Sequence, residues 1–247
     1  IVSVYDLDII SDPSIRSLCI TFDDIYDDFF IFSYPLLRDH QIPAHLFLSL
    51  DPILKNTPLW HDRYVSASNC NSEIKLKSLK PILKRHIEGK LDPSQINILL
   101  SDYDNNINAE LYKPLSLSQL KVLSNDSLIS FGFHGFNHYS FNYIPQKHLT
   151  TFVKKAYESM MSLDLIDSLR PFTIAYPYGS ASTFPKKLFS SLDLPFNVLE
   201  FSTLVNSSYP YPRTMVTNRD TCTSLKIRNH ILIPIVRRQA AYLAWLP

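Results

Sequence analysis

The sequence has 247 residues, of which 45% are hydrophobic and 19% are charged, so the chain can bury a core and is not an intrinsically disordered tail. Its 24 Lys and Arg residues nearly balance its 23 Asp and Glu residues, giving a formal net charge of +1. That balance argues against a dedicated nucleic-acid-binding protein. No apolar run approaches the roughly 18 residues that a transmembrane segment needs.

Apolar runs alternate with helical patterns along the chain, which predicts an α/β fold with parallel strands. The predicted strands are 17–22, 44–50, 128–133, 172–176 and 196–201. The predicted helices are 26–38, 72–88, 116–123, 146–163, 185–192 and a tail from about 223 to 246. Pro35 and Pro81 are expected to end or break the first two helices. Ser116 and Gln119 form a capping-box pattern at the start of the third.

The chain contains no internal repeat, low-complexity tract or Gly/Ser linker. Residues 1–247 are therefore interpreted as a single domain, with a helical insertion at about 51–115 and a helical C-terminal tail from about 223. Parallel α/β folds place their functional sites at the C-terminal ends of the strands. The polar residues directly after each predicted strand are accordingly the first candidates for a site.

The cysteines and the N-terminus bear on the compartment. Cys19, Cys70 and Cys222 lie far apart and form no CxxC pair, so neither a disulfide framework nor a cysteine zinc site is expected. No basic stretch followed by an apolar one is visible near Ile1, as a signal peptide would require. These features predict a cytoplasmic protein, with an extracytoplasmic location left open if the N-terminus was processed. Nothing in the sequence indicates an oligomeric state.

Two adjacent carboxylates, Asp23 and Asp24, follow the first predicted strand. Their like charges repel, and partial burial makes the repulsion worse, so a neighbouring cation would relieve it. Because adjacent side chains diverge, one carboxylate can bind a metal while the other faces water or substrate. The alternative interpretation is that the two acids cap and begin the next helix.

Two histidines four residues apart, His134 and His138, follow the third predicted strand. This spacing can direct both imidazoles at one point, as metal ligands require, and Gly132 and Gly135 beside His134 suit a tight bend. Two histidines and one aspartate leave coordination positions open, which is typical of a catalytic rather than a structural metal site. The alternative is a pair of ordinary core or surface histidines.

Aromatic residues stand near two of these segments. Tyr176, Pro177, Tyr178 and Gly179 follow the fourth predicted strand and can form either a wall with exposed N–H groups or an ordinary turn. Trp60, in the predicted insertion, can either stack on a sugar face or pack in the core.

The segments resemble the motifs of the polysaccharide deacetylases with NodB homology, carbohydrate esterase family 4. Thr-Phe-Asp-Asp at 21–24 resembles the first motif, His-Gly-Phe-Asn-His at 134–138 the second, and 172–179 the third, in the variant that ends Tyr-Pro-Tyr-Gly. Leu-Trp-His-Asp at 59–62 is similar to members that modify surface or exported glycans. The resemblance covers about 17–220 and implies a NodB-like α/β fold, a distorted (β/α) barrel with about seven parallel strands.

The resemblance also implies an activity and a set of roles. The activity is metal-dependent removal of an N-acetyl group from an N-acetylhexosamine in a glycan or glycan precursor, which releases acetate and a free amine. Asp24, His134 and His138 match the metal ligands. Asp23 matches the catalytic base, and Tyr178 matches the residue whose backbone N–H helps to hold the oxyanion. The candidate substrate-binding residues are Trp60, Tyr176 and Tyr178. The implied cofactor is one divalent metal, Zn²⁺ first, with Co²⁺ or Ni²⁺ suiting the same ligands, and the implied partner is a carbohydrate.

Several positions depart from the family pattern. Ile25 stands where a glycine usually follows the two acids, Gly135 where a Ser or Thr follows the first histidine, and Ala175 where the third motif usually has an arginine. Arg213 is the candidate to supply that charge, and it is counted among the catalytic residues. The late Leu-x-His motif is not found; His230, nearest by position, is interpreted as structural, so the general acid is unassigned.

These departures keep two other functions open. One is a non-catalytic glycan-binding module on the same fold. The other is a deformylase or amidohydrolase that acts on another sugar-linked amide.

Overall fold

The computed structural model describes residues 1–6, 18–63, 65, 79–101, 112–179, 192–202 and 211–212. Their strands form one sheet in which every neighbouring pair is parallel. The strands are β1 (Ile20–Asp23), β2 (Ala44–Leu48), β3 (Ile129–Phe133), β4 (Phe172–Ala175), β5 (Val198–Ser202) and β6 (Tyr211–Pro212). The predicted parallel α/β fold is confirmed, with five strands of four or five residues and a sixth of two.

The order of strands across the sheet follows the order along the chain, from β1 to β6. Because crossovers between parallel strands are right-handed, a sheet wound always in one direction places its connecting helices on one face. The other face is then covered when the sheet curls, as it does in (β/α) barrels. The observed order agrees with the NodB-like fold, while a seventh strand and closure into a barrel stay predictions.

The helices lie between the strands. In the described residues they are α1 (Tyr34–Asp39), α2 (Leu50–Lys55), α3 (Leu79–Ile87), α4 (Pro93–Ser101), α5 (Leu117–Ser124) and α6 (Gln146–Ser162). The predicted capping box at the start of α5 is confirmed, since Ser116 and Gln119 bond each other's backbone N–H groups. α6 ends one residue before its predicted end. No helix in these ranges is long and apolar enough to cross a membrane.

The two prolines that were expected to interrupt helices have different outcomes. Residues 27–39 are helical throughout, and within them a π-helical turn, Phe29–Ser33, precedes α1, with the N–H of Tyr34 donating to the carbonyl oxygen of Phe29. Pro35 directly follows this wider turn as the second residue of α1, so the helix continues past the missing N–H. Pro81 lies in α3, which is described from Leu79 onwards, so the break expected there stays a prediction. Parts of the predicted helices lie outside the described part of the chain: 72–78, most of 185–192 and the tail from 223.

The main core lies between the sheet and its helices. One face of α6, formed by Leu149, Val153, Ala156 and Met160, is fully buried in the same cluster as alternate residues of the strands. The strand residues of that cluster include Leu46, Leu48, Phe131, Phe133, Phe172 and Ile174. Burial of each large apolar side chain contributes about 1.5–3 kcal/mol, so this layer holds the strand ends in place.

The opposite face of the sheet carries a small polar network. His45 Nδ1 lies 2.7 Å from Ser130 Oγ, and His45 Nε2 lies 2.8 Å from Thr173 Oγ1. A Cβ added to Gly132 would lie only 2.3 Å from Thr173 Oγ1 and 2.7 Å from His45 Nε2. The expectation that Gly132 makes a bend was therefore wrong: β3 runs straight through it, and glycine is needed there for close packing. Gly135, with φ of 92°, makes the bend.

Candidate metal centre

The candidate residues meet at the carboxyl ends of the first four strands. Asp23 is the last residue of β1, and the N–H of Asp24 donates to the carbonyl oxygen of Phe47 in β2 at 3.0 Å. His134 follows β3 and is tied to β2 in the same way, its N–H lying 2.8 Å from the carbonyl oxygen of Leu48. The parallel hydrogen-bond ladder thus places both carboxylates and the first histidine at one edge of the sheet.

The backbone at this edge is strained at four non-glycine residues. Asp24, Ile25, His138 and Tyr178 have φ values of 64°, 41°, 51° and 61°. Each left-handed residue costs on the order of 1–3 kcal/mol, and such residues cluster at functional sites. Ile25 adopts the conformation that favours glycine, although it is β-branched, and its side chain is buried in the main core. The turn after the two acids is therefore made with strain instead of with a glycine.

Two carboxylate–imidazole pairs lie side by side. Asp23 Oδ2 is 3.5 Å from His134 Nε2, and Asp24 Oδ2 is 3.4 Å from His138 Nε2. The two imidazole rings are 4.7 Å apart between centroids. The structure therefore brings together the four side chains that the two motifs predicted, while their roles stay predictions.

The partners of His134 and Asp24 orient them. His134 Nδ1 lies 2.9 Å from the carbonyl oxygen of Ala175, so Nδ1 carries a proton and Nε2 is the ring nitrogen that faces the carboxylate of Asp23. The hydroxyl of Ser49 donates to Asp24 Oδ1 at 2.8 Å. Hydrogen bonds of this kind are typical of metal ligands. Ser49 was not predicted from the sequence, although it directly follows β2 and the strand-end rule points to it.

A third histidine reaches the same place from the predicted insertion. Asp24, His61 and His138 each place one ligand atom within 4.8 Å of the others. Among the residues that the structure describes, no group of three that includes His134 meets the same distance. His61 was not predicted as a candidate ligand; the only signal for it was its place beside Trp60 in the segment 59–62.

Tyr178 borders the cluster. Its ring lies edge-on to that of His138, with 4.5 Å between centroids, and its hydroxyl is buried without a hydrogen-bond partner. Burial and the nearby carboxylate of Asp24 hold the pKa of the Tyr178 hydroxyl well above its ordinary value.

The other predicted substrate-binding rings are enclosed. Trp60 is 0% exposed, and its indole N–H donates to the carbonyl oxygen of His138 at 3.4 Å. Tyr176 is 1% exposed, and its hydroxyl donates to Glu200 Oε2 at 2.6 Å. Neither ring presents an open face to a ligand here, so burial favours the packing interpretation of both. Arg213 and His230 lie outside the described residues.

A family model described as polysaccharide deacetylase matches residues 11–196. The chain belongs to the polysaccharide deacetylase family. This confirms the resemblance and the NodB-like α/β fold, and it indicates a glycan-deacetylating hydrolase of the carbohydrate esterase type. A search of curated proteins finds no match.

The family is typically metal-dependent, and the donor atoms of this chain fit a divalent cation. Burial lowers the pKa of His61, and it lowers that of His138 strongly, with His134 adding to the effect on His138. Both imidazoles are therefore neutral and can donate lone pairs. Burial raises the pKa of the Asp24 carboxyl, opposed by His134 and His61 and by the Ser49 hydrogen bond.

Unpaired nitrogen atoms point to the same fit. The Nδ1 atoms of His61 and His138 are buried and have no hydrogen-bond partner. A buried polar atom left unpaired costs on the order of 1–3 kcal/mol. A cation bound through either unpaired nitrogen would give that atom the partner that it lacks. One carboxylate with two imidazoles, as in Asp24, His61 and His138, is a common ligand set for zinc.

Proposed function

We propose that this chain is a metal-dependent deacetylase that hydrolyses the N-acetyl group of an N-acetylhexosamine in a glycan or glycan precursor. The observation that carries the proposal is the pairing of Asp23 with His134 and of Asp24 with His138 at the carboxyl ends of β1 and β3. Family membership supplies the class of reaction.

Asp24, His134 and His138 are the ligands proposed from the family motifs. A divalent cation held there, Zn²⁺ first and Co²⁺ or Ni²⁺ otherwise, would polarise the acetyl carbonyl and lower the pKa of water towards neutrality. The carbonyl oxygen of Ala175, at the end of β4, holds the Nδ1 side of the His134 ring. The protein thus fixes the direction of the His134 lone pair before substrate arrives.

Asp23 is the proposed general base. Its side chain is 31% exposed, whereas that of His134 beside it is 2% exposed, so water can reach the carboxylate. Asp23 takes a proton from the attacking water while the C–O bond forms. The C–N bond then breaks, acetate leaves, and the amine gains a proton whose net source is that water.

Tyr178 is the proposed oxyanion donor. Its left-handed backbone turns the Pro177–Gly179 segment over the edge of the sheet, next to His138. A backbone N–H fixed there stabilises the negative charge that develops on the acetyl oxygen and needs no rearrangement during the reaction. The Tyr178 ring also covers His138, which excludes water from one side of the site.

The test is acetate release from N-acetylhexosamine oligomers by the zinc-loaded protein and by Asp23→Asn. Asp28→Asn is the matched control, because Asp28 is an exposed acid in the next helical turn that makes no side-chain capping bond. We expect release by wild type and by the control, and a loss of about 10²- to 10⁴-fold in Asp23→Asn. Equal rates in all three proteins would contradict the proposed role of Asp23, and binding without any release would favour the glycan-binding module.

A second candidate is hydrolysis of a different sugar-linked amide, such as a formyl group. It is favoured by Ala175, which is fully buried where the family pattern has an arginine. A small residue there changes the charge that meets the substrate. Measuring acetate and formate release from matched N-acetyl and N-formyl sugars separates the two reactions.

A further inference from the structure

The helical turn at 60–63 brings a histidine to the metal centre from outside the sheet. His61 lies in the segment after β2, whereas Asp24 and His138 follow β1 and β3. One ligand atom from each of the three lies within 4.8 Å of the other two. Since zinc binds nitrogen and oxygen at about 2.0–2.2 Å, three donors this close can surround one cation.

The two ring nitrogens of His61 have different surroundings. Nε2 lies 3.7 Å from Asp62 Oδ1, while Nδ1 is buried without a hydrogen-bond partner. Asp62 is 8% exposed, and its other oxygen accepts a hydrogen bond of 2.5 Å from the hydroxyl of Tyr26. A carboxylate beside one imidazole nitrogen, with a metal on the other, is the usual arrangement around a metal-bound histidine.

Trp60 fixes the turn to the loop that carries His138. Its ring is fully buried, and its N–H donates to the carbonyl oxygen of His138. The ring of His61 lies 5.1 Å from that of His138 between centroids, at a steep angle. Because Trp60 holds the two segments together, His61 has a defined position beside the cluster.

We infer that His61 is a further ligand of the metal, beside Asp24 and His138, and that Asp62 and Tyr26 are positioning residues behind it. The inference rests on the proposed function only in requiring a divalent metal at this site. It assigns a structural purpose to the segment 59–62, which supplies a ligand that the strand ends do not.

The test is a calorimetric titration of the metal-free full chain with Zn²⁺. The variants are His61→Ala, Asp62→Asn and, as a control, His148→Ala, because His148 is exposed on α6. Loss of an outer-sphere partner lowers metal affinity by about 10–100-fold. We expect Asp62→Asn to fall in that range, His61→Ala to lose more than about 100-fold, and His148→Ala to match wild type.

The outcomes separate this inference from the proposed function. Unchanged zinc affinity in a folded His61→Ala protein overturns the inference and leaves the proposed function standing, whereas the absence of a zinc site in wild type overturns both. Anomalous scattering from crystals of the zinc-loaded wild-type protein needs no variant. A zinc peak bonded to His61 supports the inference, and a peak bonded to His134 and His138 but not to His61 overturns it.

Discussion

Nε2 of His134 faces Oδ2 of Asp23 across 3.5 Å. The Nδ1 atom of His134 donates to the carbonyl oxygen of Ala175, so Nε2 is the ring nitrogen that faces the carboxylate. An imidazole nitrogen and a carboxylate oxygen this close are favourable neighbours when a proton or a cation lies between or beside them. The pair therefore suits a site that binds a metal or moves a proton.

Asp23→Asn and Asp24→Asn are expected to have different effects on turnover and zinc affinity. Asp23→Asn should lower kcat by about 10²- to 10⁴-fold and leave zinc affinity near that of wild type, because Asp23 acts on water. Asp24→Asn should lower both, because Asp24 lies in the candidate ligand group. Paired measurements of acetate release and zinc binding check this. Equal loss of zinc affinity in the two variants would show that Asp23 is also a ligand.

Ser49 is expected to support the metal through Asp24. Ser49→Ala removes the 2.8 Å hydrogen bond to Asp24 Oδ1 and should lower zinc affinity by about 10–100-fold. Ser159→Ala is the control, since Ser159 is half-buried on α6 and its hydroxyl donates to the carbonyl oxygen of Lys155 in the same helix. A competition titration against a zinc chelator measures both. If the two variants bind zinc equally well, Ser49 has no role at the centre.

The strain at Ile25 predicts an unusual order of stability between two variants, Ile25→Gly and Ile25→Ala. Removing a buried isoleucine costs about 2–5 kcal/mol, and in ordinary helices glycine is about 1 kcal/mol less stable than alanine. At Ile25, with φ of 41°, glycine relieves strain, so Ile25→Gly should be no less stable than Ile25→Ala. The same two substitutions at Ile53, buried in α2, should show the ordinary order.

Denaturant unfolding of the four variants checks the order of stabilities. A penalty of about 1 kcal/mol for glycine relative to alanine at both positions would mean that the turn after Asp24 carries no strain.

The buried imidazole of His86 is expected to make the folded protein less stable in acid. Its Nδ1 lies 2.8 Å from the carbonyl oxygen of Leu91, and its Nε2 accepts the N–H of Ser140 at 2.8 Å. Burial lowers the pKa of His86, so the folded protein holds the ring neutral while the unfolded chain protonates near pH 6.5. The stability from this residue is therefore complete above about pH 6.5 and falls below it, by at most about 1.4 kcal/mol per pH unit.

His86→Gln isolates that effect, because the amide can replace both hydrogen bonds without titrating. The comparison uses metal-free protein. As the pH is lowered from 7.5 to 5.5, the free energy of unfolding of wild type should decrease relative to that of the variant. Parallel pH profiles would show that His86 does not titrate in this range on unfolding.

The part of the site that follows the strands could be predicted from the sequence. Asp23, Asp24 and His134 directly follow or end parallel strands, and sheet geometry places such residues together whatever lies between them. His61 could not be found this way, because its position depends on how a long segment folds back and on the packing of Trp60. No local pattern in the chain encodes that contact.

The burial of Tyr176, a predicted substrate-binding residue, has a simple physical origin. Side chains alternate between the two faces along a strand, and Ile174 lies in the main core. Tyr176, two residues later, therefore points to the same core and not into the site, where its hydroxyl bonds Glu200. The alternation was readable in the sequence once Ile174 was taken as a core residue.

Deacetylation by this protein is expected to depend on a metal held by this cluster. The most direct measurement is acetate release from N-acetylhexosamine oligomers by wild-type protein before and after removal of metal, and again after one equivalent of Zn²⁺ is restored. We expect acetate release to stop when the metal is removed and to return with zinc. Release that continues unchanged in metal-free protein, or that never occurs in zinc-loaded protein, would contradict it.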